Sequence, residues 1–332
     1  MSAAIATDLR LLAGQLLMTG IAGTGLDAAT AQWLRQNGIR AVCLRAANLR
    51  DAAQLTRLST DLRRALGPQA LIAIDPAGMP PAYPAWLPQP PDAMDLCALG
   101  DAELANGTGA ATARGLRALG INWLLAPLIN LDTAAGQAPG AAQAFGGDPA
   151  QAAAMAHAWT AGCQAEGVAC CARLYLPQHG AGSPLPSVDK TRSQLEEHDF
   201  VPFRRAAAQT ASMMSAHVAY PALDENQPAS LSHAVMHGVL LAPGIDAQGG
   251  HVGARALAAG ADMALLADAA QLPAALDAVG AALASGALPL QAVGTRLQRL
   301  AAMAARYPAG AGVYAQEAAD RIIMAEARRR CQ

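Results

Sequence analysis

The chain has 332 residues, of which 53% are hydrophobic and 14% charged, with a net charge of −2. This composition supports a large core and excludes a disordered chain, and the absence of a basic stripe argues against nucleic-acid binding. No stretch is long and apolar enough to predict a membrane span, and residues 1–10 do not resemble a signal peptide. The six cysteines form no Cys-x-x-Cys pair, which favours reduced thiols. We therefore expect a cytoplasmic protein with neither a membrane nor a nucleic acid as partner.

Strands and helices alternate along the chain. The predicted strands are residues 14–20, 39–44, 70–75, 121–127, 167–176, 211–217 and 262–267. The predicted helices are residues 27–37, 51–66, 101–119, 150–165, 191–209 with an interruption near Pro202, one that Gly260 closes, and two more within 271–304. Alternation of this kind is typical of parallel strands covered by helices.

The fold class that accounts for this order is α/β. We predict a TIM-like (β/α)8 barrel that is either regular throughout or irregular or incomplete near strand seven. The chain is treated as a single barrel domain over residues 1–332, with the barrel at about 12–280 and C-terminal helices at about 281–332. A doubly wound open sheet is the alternative, but no Gly-x-Gly-x-x-Gly follows the first strand.

Polar residues stand where predicted strands end: Asp75, His179 and His217. A parallel barrel places its chemistry at these C-terminal strand ends and in the loops that follow. Asp75 could bind a sugar hydroxyl or cap the next turn, and His179 could hold a ligand, transfer a proton or bond loop carbonyls. His217 is expected to be structural. Arg173 lies in an apolar strand, which predicts a salt bridge inside the barrel rather than an anion site.

Several segments, in their order and spacing, resemble the glycoside hydrolase family 3 β-N-acetylglucosaminidases (beta-hexosaminidases) of bacterial cell-wall recycling. The resemblance covers roughly residues 12–280. Its carriers are Gly14-Gln-Leu-Leu-Met18, Leu71-Ile-Ala-Ile-Asp75, Gly120-Ile-Asn-Trp-Leu-Leu-Ala-Pro127, Asn130-Leu-Asp132, Ala144-Phe-Gly-Gly-Asp-Pro149, Leu176-Pro-Gln-His-Gly180, Val201-Pro-Phe-Arg204, Ala216-His-Val-Ala-Tyr-Pro221, Pro228-Ala-Ser-Leu-Ser232 and Ala258-Ala-Gly-Ala-Asp-Met263.

The resemblance implies a retaining glycosidase, which needs a carboxylate nucleophile and a nearby acid/base group. In the family the nucleophile is an aspartate in a Ser-Asp-Asp segment that ends strand seven. The corresponding segment here, residues 237–247, looks about a dozen residues short, roughly a strand and its turn, and contains Asp246 as the nearby carboxylate. The family's Asp-x-His acid/base pair is missing from the loop over residues 180–187. Candidate catalytic residues are therefore unknown apart from His179 and Asp246.

Further positions that the resemblance assigns to sugar binding also differ. The family's Lys-His pair corresponds to Leu174 and Tyr175, its arginine before Ser-Phe-Gly to Gln143, and its Asp-Gln-Glu-Gly-Gly-Arg motif keeps only Asp75. The candidate ligand-binding residues are Asp75, Gln143, Tyr175 and His179. Losing positive and polar contacts predicts weak binding of N-acetylated amino sugars.

No cofactor and no metal site are predicted, because His233, His237 and His251 do not share metal-ligand spacing with a carboxylate. Asp132 and Asp148 are expected to fix turns. The run over residues 76–91 carries seven prolines and is predicted to be a surface loop, either a partner-docking loop or an ordered lid.

Three hypotheses about function follow. The first is a glycosidase-like protein without ordinary hydrolysis, either a pseudoenzyme or a barrel recruited for another small-molecule or sugar-like ligand or another reaction. The second is an active β-N-acetylhexosaminidase with Asp246 and His179 in relocated roles. The third is a regulatory protein that binds an active relative. The first is favoured, because the losses fall on one site from separate segments while the scaffold motifs are kept.

Overall fold

The computed structural model describes residues 3–76, 86–87, 89–129, 131, 144–173, 185–236, 241–242, 251–266, 268–310 and 318–331. Eight parallel strands close into a barrel in sequence order, and the last pairs with the first. The strands are β1 Leu17–Thr19, β2 Ala41–Leu44, β3 Leu71–Ile74, β4 Trp123–Leu124, β5 Ala169–Arg173, β6 Ser212–Met214, β7 Leu241–Ala242 and β8 Met263–Leu265. The predicted TIM-like barrel is confirmed. Strand seven is present and short, and it pairs with both neighbours.

Helices cover the outside of the barrel. They are α1 Ala3–Gln15, α2 Ala28–Gln36, α3 Ala52–Leu66, α4 Ala93–Leu99, α5 Ala102–Ala118, α6 Pro149–Ala165, α7 Arg192–Gln194, α8 Val201–Ala207, α9 His233–Met236, α10 His251–Ala259, α11 Leu272–Ser285, α12 Leu290–Arg306 and α13 Ala318–Cys331. A π-helical turn, Leu195–Asp199, joins α7 to α8, so the helix predicted over residues 191–209 is interrupted slightly before Pro202.

Aspartate side chains cap the start of four of these helices. Asp27, Asp51, Asp101 and Asp148 each accept a hydrogen bond from the backbone N–H three residues later. An N-cap of this kind satisfies one of the free donors of the first helical turn. The predicted cap at Asp27 is confirmed. Asp148, which was expected to fix a turn, caps the start of α6 instead, and Asp132 lies outside the described residues.

The prediction of a first strand over residues 14–20 is wrong at its start. Gly14 and Gln15 belong to α1, and β1 begins at Leu17. Gly14 lies against the end of α2, where an added Cβ would come within 1.7 Å of the carbonyl oxygen of Asn37. The reason for a glycine here is thus a close contact between helices. Neither α1 nor α4 was predicted from the pattern.

The barrel interior is filled by side chains that alternate along each strand, as a small closed barrel requires. This inner cluster includes Met18, Ala41, Cys43, Leu71, Ala73, Trp123, Leu125, Ala169, Cys171, Met214, Met263 and Leu265. Leu300, Met303 and Tyr307 from α12 and its end belong to the same cluster. They close the N-terminal end of the barrel. The C-terminal strand ends therefore form the barrel mouth, the term used below for the ends of β1–β8 and the residues directly after them.

Candidate functional site

The alternation of side chains along the strands directs three charged residues toward the inside of the barrel mouth. Cys43, Ala73 and Cys171 face the barrel interior, and the residues two places later are Arg45, Asp75 and Arg173. Because side chains two apart on a strand share a face, these three continue the inward-facing rows of β2, β3 and β5. Arg45 was not singled out from the sequence, although its spacing from a buried inward-facing residue is a usable signal.

Arg173 and Asp75 form an ion pair across the inside of the mouth. The Arg173 Nη1 donates to Asp75 Oδ1 at 2.8 Å and makes a longer contact of 3.4 Å to the carbonyl oxygen of Leu125 on the intervening β4 segment. Both side chains are largely buried, with 9% and 14% exposed. The salt bridge predicted for Arg173 is confirmed, and Asp75 is its partner.

The cysteines below this pair are protonated thiols. Burial raises the pKa of both Cys43 and Cys171 to about 12, and the neighbouring Asp75 carboxylate adds to the rise in each case. The thiolate is the nucleophilic form of cysteine, so neither residue is activated at neutral pH. They serve as small apolar side chains of the barrel interior.

His217 lies beyond the end of β6 and is held by a neighbouring hydroxyl. Its Nδ1 is 2.8 Å from Oγ of the fully buried Ser230. Burial, and to a lesser degree the positive charge of Arg255, lowers the pKa of the imidazole below its ordinary value. A neutral ring bonded to a buried serine fits the structural role expected for His217.

The structure does not test the remaining site predictions. Gln143, Tyr175, His179 and Asp246 lie outside the described residues, as does most of the segment over residues 237–247. Most of the Pro-rich run over residues 76–91 also lies outside them. Within the described ranges, no three His, Cys, Asp or Glu side chains gather in a way that could hold a metal ion. In the same ranges, no helix has the length and apolar character needed to span a bilayer.

A closed parallel barrel with charged side chains at its C-terminal strand ends places the chain in the TIM-barrel class. Residues 8–243 match the family described as the glycosyl hydrolase family 3 N-terminal domain. A beta-hexosaminidase of Pseudomonas aeruginosa is 31% identical over 283 residues, which cover 75% of this chain and 81% of that protein. A beta-hexosaminidase of Chromobacterium violaceum is 32% identical over 320 residues, 86% of each chain. The chain belongs to glycosyl hydrolase family 3.

Solved structures agree with this assignment. A glycoside hydrolase family 3 beta-N-acetylglucosaminidase from Paenibacillus sp. str. FPU-7 superposes with a TM-score of 0.84 at 26% identity, covering 97% of this chain and 68% of that one. NagZ from Neisseria gonorrhoeae, solved in complex with N-trifluoroacetyl-D-glucosamine, superposes with a TM-score of 0.76 at 23% identity, covering 96% of this chain and 98% of that one. The second similarity is one of fold.

Proposed function

We propose that this chain is a non-hydrolytic member of its family, a barrel that binds a small-molecule or sugar-like ligand without cleaving glycosides. The observation that carries the proposal is in the sequence. It contains neither a Ser-Asp-Asp tripeptide nor an Asp-x-His triplet at any position. These are the motifs that the resemblance assigns to the nucleophile and the acid/base pair.

The chemistry explains why these losses matter. Retaining hydrolysis needs a carboxylate to attack the anomeric carbon and a second group, about 5 Å away, to protonate the leaving oxygen. A histidine or an aspartate elsewhere in the chain serves only if it reaches the same place. In the alternative function, an active β-N-acetylhexosaminidase, Asp246 and His179 would have to do so.

The ion pair at the mouth supports the same proposal. Asp75 is the acidic residue retained from the family's Asp-Gln-Glu-Gly-Gly-Arg motif, and its carboxylate accepts a hydrogen bond from Arg173. A carboxylate that already neutralises a buried guanidinium is a weaker acceptor for a sugar hydroxyl. Weak binding of N-acetylglucosamine follows, and a micromolar dissociation constant for this sugar would contradict it.

The compartment and the partner belong to the same proposal. The six cysteines are free, and five of them are buried, which fits a reducing compartment such as the cytoplasm.

A regulatory role would need a protein partner, and an active family member is the candidate. Size measurement of an equimolar mixture with such an enzyme would detect a stable complex.

Hydrolysis of a chromogenic N-acetylglucosaminide by the purified protein tests the proposal. Asp246→Asn and His179→Ala are assayed beside the wild type. We expect no turnover by the wild type above the level of the variants. Turnover that either substitution abolishes would establish the alternative, an active hydrolase with relocated residues.

A further inference from the structure

We infer that Arg173 is a specificity-determining residue of the barrel mouth and selects a ligand that carries a carboxylate, such as a sugar acid. The inference rests on the proposed function, because it names the class of ligand for the same site. It is carried by the hydrogen-bonding state of Arg173 and by the geometry of its guanidinium group.

The Arg173 side chain is more than nine-tenths buried and incompletely satisfied. Its Nη1 is occupied by Asp75 and the Leu125 carbonyl, whereas Nε is buried and has no hydrogen-bond partner among the described residues. A buried donor on a charged group is costly to leave unpaired. A ligand acceptor placed at Nε would satisfy it.

Guanidinium geometry points to a carboxylate. Asp75 occupies one edge of the planar group through Nη1, and Nε lies on another edge. The N–H groups of that edge are parallel donors and match the two oxygens of a carboxylate. A sugar hydroxyl, with one oxygen, can meet only one of them.

The charges near the site act in opposite senses. Arg45 and Arg173 lower the pKa of the buried Cys43 thiol, whereas Asp75 raises it. A ligand carboxylate at Nε would be attracted by the Arg173 guanidinium and repelled more weakly by Asp75, whose charge Arg173 already offsets.

A matched pair of sugars tests the inference. D-glucuronate and D-glucose differ only in a carboxylate in place of a hydroxymethyl group, and neither can be hydrolysed. We expect calorimetric titration to show that the wild type binds D-glucuronate on the order of tenfold or more tighter than D-glucose. Arg173→Gln should reduce this ratio to about one. Arg173→Lys, which keeps the charge but not the planar donor edge, should retain part of it.

Neutralising Asp75 should change the preference for D-glucuronate in the opposite direction. Asp75→Asn leaves the charge of Arg173 uncompensated, so the preference for D-glucuronate should increase, which a purely structural role for Arg173 would not cause. If Arg173→Gln fails to fold because Asp75 loses this ion pair, the double variant Asp75→Asn/Arg173→Gln, which removes both charges, is titrated in its place.

The inference is overturned if the wild type binds both sugars equally or neither of them, or if the preference survives Arg173→Gln. The two proposals fail separately. Cleavage of a glycoside by the wild type contradicts the proposed function, while the preference measured with these two monosaccharides decides the role of Arg173 by itself.

Discussion

Asp75 and Arg173 form an ion pair in which each charge compensates for the burial of the other. We expect Arg173→Gln to lower the free energy of unfolding by about 3–5 kcal/mol, because it removes the cation that pairs with the largely buried Asp75 carboxylate. The double variant Asp75→Asn/Arg173→Gln should lose clearly less than the sum of the two single variants. Denaturant unfolding of the four proteins measures the coupling.

A surface pair provides the control for this cycle. Arg64 and Asp61 form a salt bridge on α3 with 74% and 46% of their side chains exposed. Arg64→Gln should change stability by less than about 1 kcal/mol. Additive effects at the buried pair would show that Asp75 and Arg173 do not depend on each other.

His217 should make stability depend on pH. Since burial lowers the pKa of the folded imidazole, the unfolded chain binds its proton more readily. The stabilising contribution is complete above the unfolded pKa of about 6.5 and is lost as the pH falls from there toward the lower folded pKa. We expect His217→Gln to reduce the difference in unfolding free energy between pH 7.5 and pH 5.5.

An unchanged difference in His217→Gln would mean that the buried contact of His217 with Ser230 does not set the pH dependence.

At the residue scale, part of the site could be predicted from the sequence. A charged residue inside an apolar strand needs a partner wherever it is buried, so a salt bridge for Arg173 could be expected. The identity of that partner could not. Asp75 lies 98 residues earlier and reaches Arg173 only because β3 and β5 both border β4 in the closed barrel.

Among the helices, the contact between α5 and α6 depends on two glycines. An added Cβ at Gly109 would come within 2.1 Å of the Trp159 carbonyl oxygen, and one at Gly162 within 2.0 Å of the Asn106 carbonyl oxygen. Backbone atoms on both helices would have to move apart. We therefore expect Gly109→Ala to lower the thermal unfolding midpoint by several degrees, equivalent to about 2 kcal/mol or more.

Gly280 is the matched control, since it lies within α11 and an added Cβ there meets nothing within 4 Å. Gly280→Ala should stabilise the protein by about 0.4–1 kcal/mol, as alanine favours helix and restricts the unfolded chain. Destabilisation by both substitutions to the same extent would argue against close helix packing as the function of Gly109.

The local sequence pattern does not determine where α1 ends and β1 begins. Residues 14–20 contain an apolar run that is as compatible with a strand as with the end of a helix. The choice is made by a tertiary contact, the approach of Gly14 to Asn37 at the end of α2. Helix starts were better predicted, because an N-cap such as Asp27 acts on its own first turn.

Across the whole molecule, the order of strands and helices was sufficient to predict a parallel barrel. It was not sufficient to predict that the end of α12 closes the N-terminal end of this barrel. Asn122 donates to the carbonyl oxygens of Ala70 and Tyr307 and accepts from the backbone N–H of Ile72. These bonds fix the end of α12 beneath the barrel. The opposite, C-terminal end is the mouth at which Arg173 pairs with Asp75.

The proposed function implies that a family 3 barrel persists here without ordinary glycoside hydrolysis. The scaffold is that of the family, as the match over residues 8–243 shows. The resemblance assigns catalysis to two motifs that are absent from the sequence. Fold and chemistry are separable in barrels of this kind, because strands and helices carry the stability while loops at the mouth carry the reaction.

The most direct test is a parallel assay of this protein and the beta-hexosaminidase of Pseudomonas aeruginosa on one chromogenic N-acetylglucosaminide. We predict turnover by the relative and, at a thousandfold higher concentration of this protein, no release of chromophore above that of the heat-denatured control. Release that exceeds the control and is lost in Asp246→Asn would contradict the account and make the chain an active hydrolase.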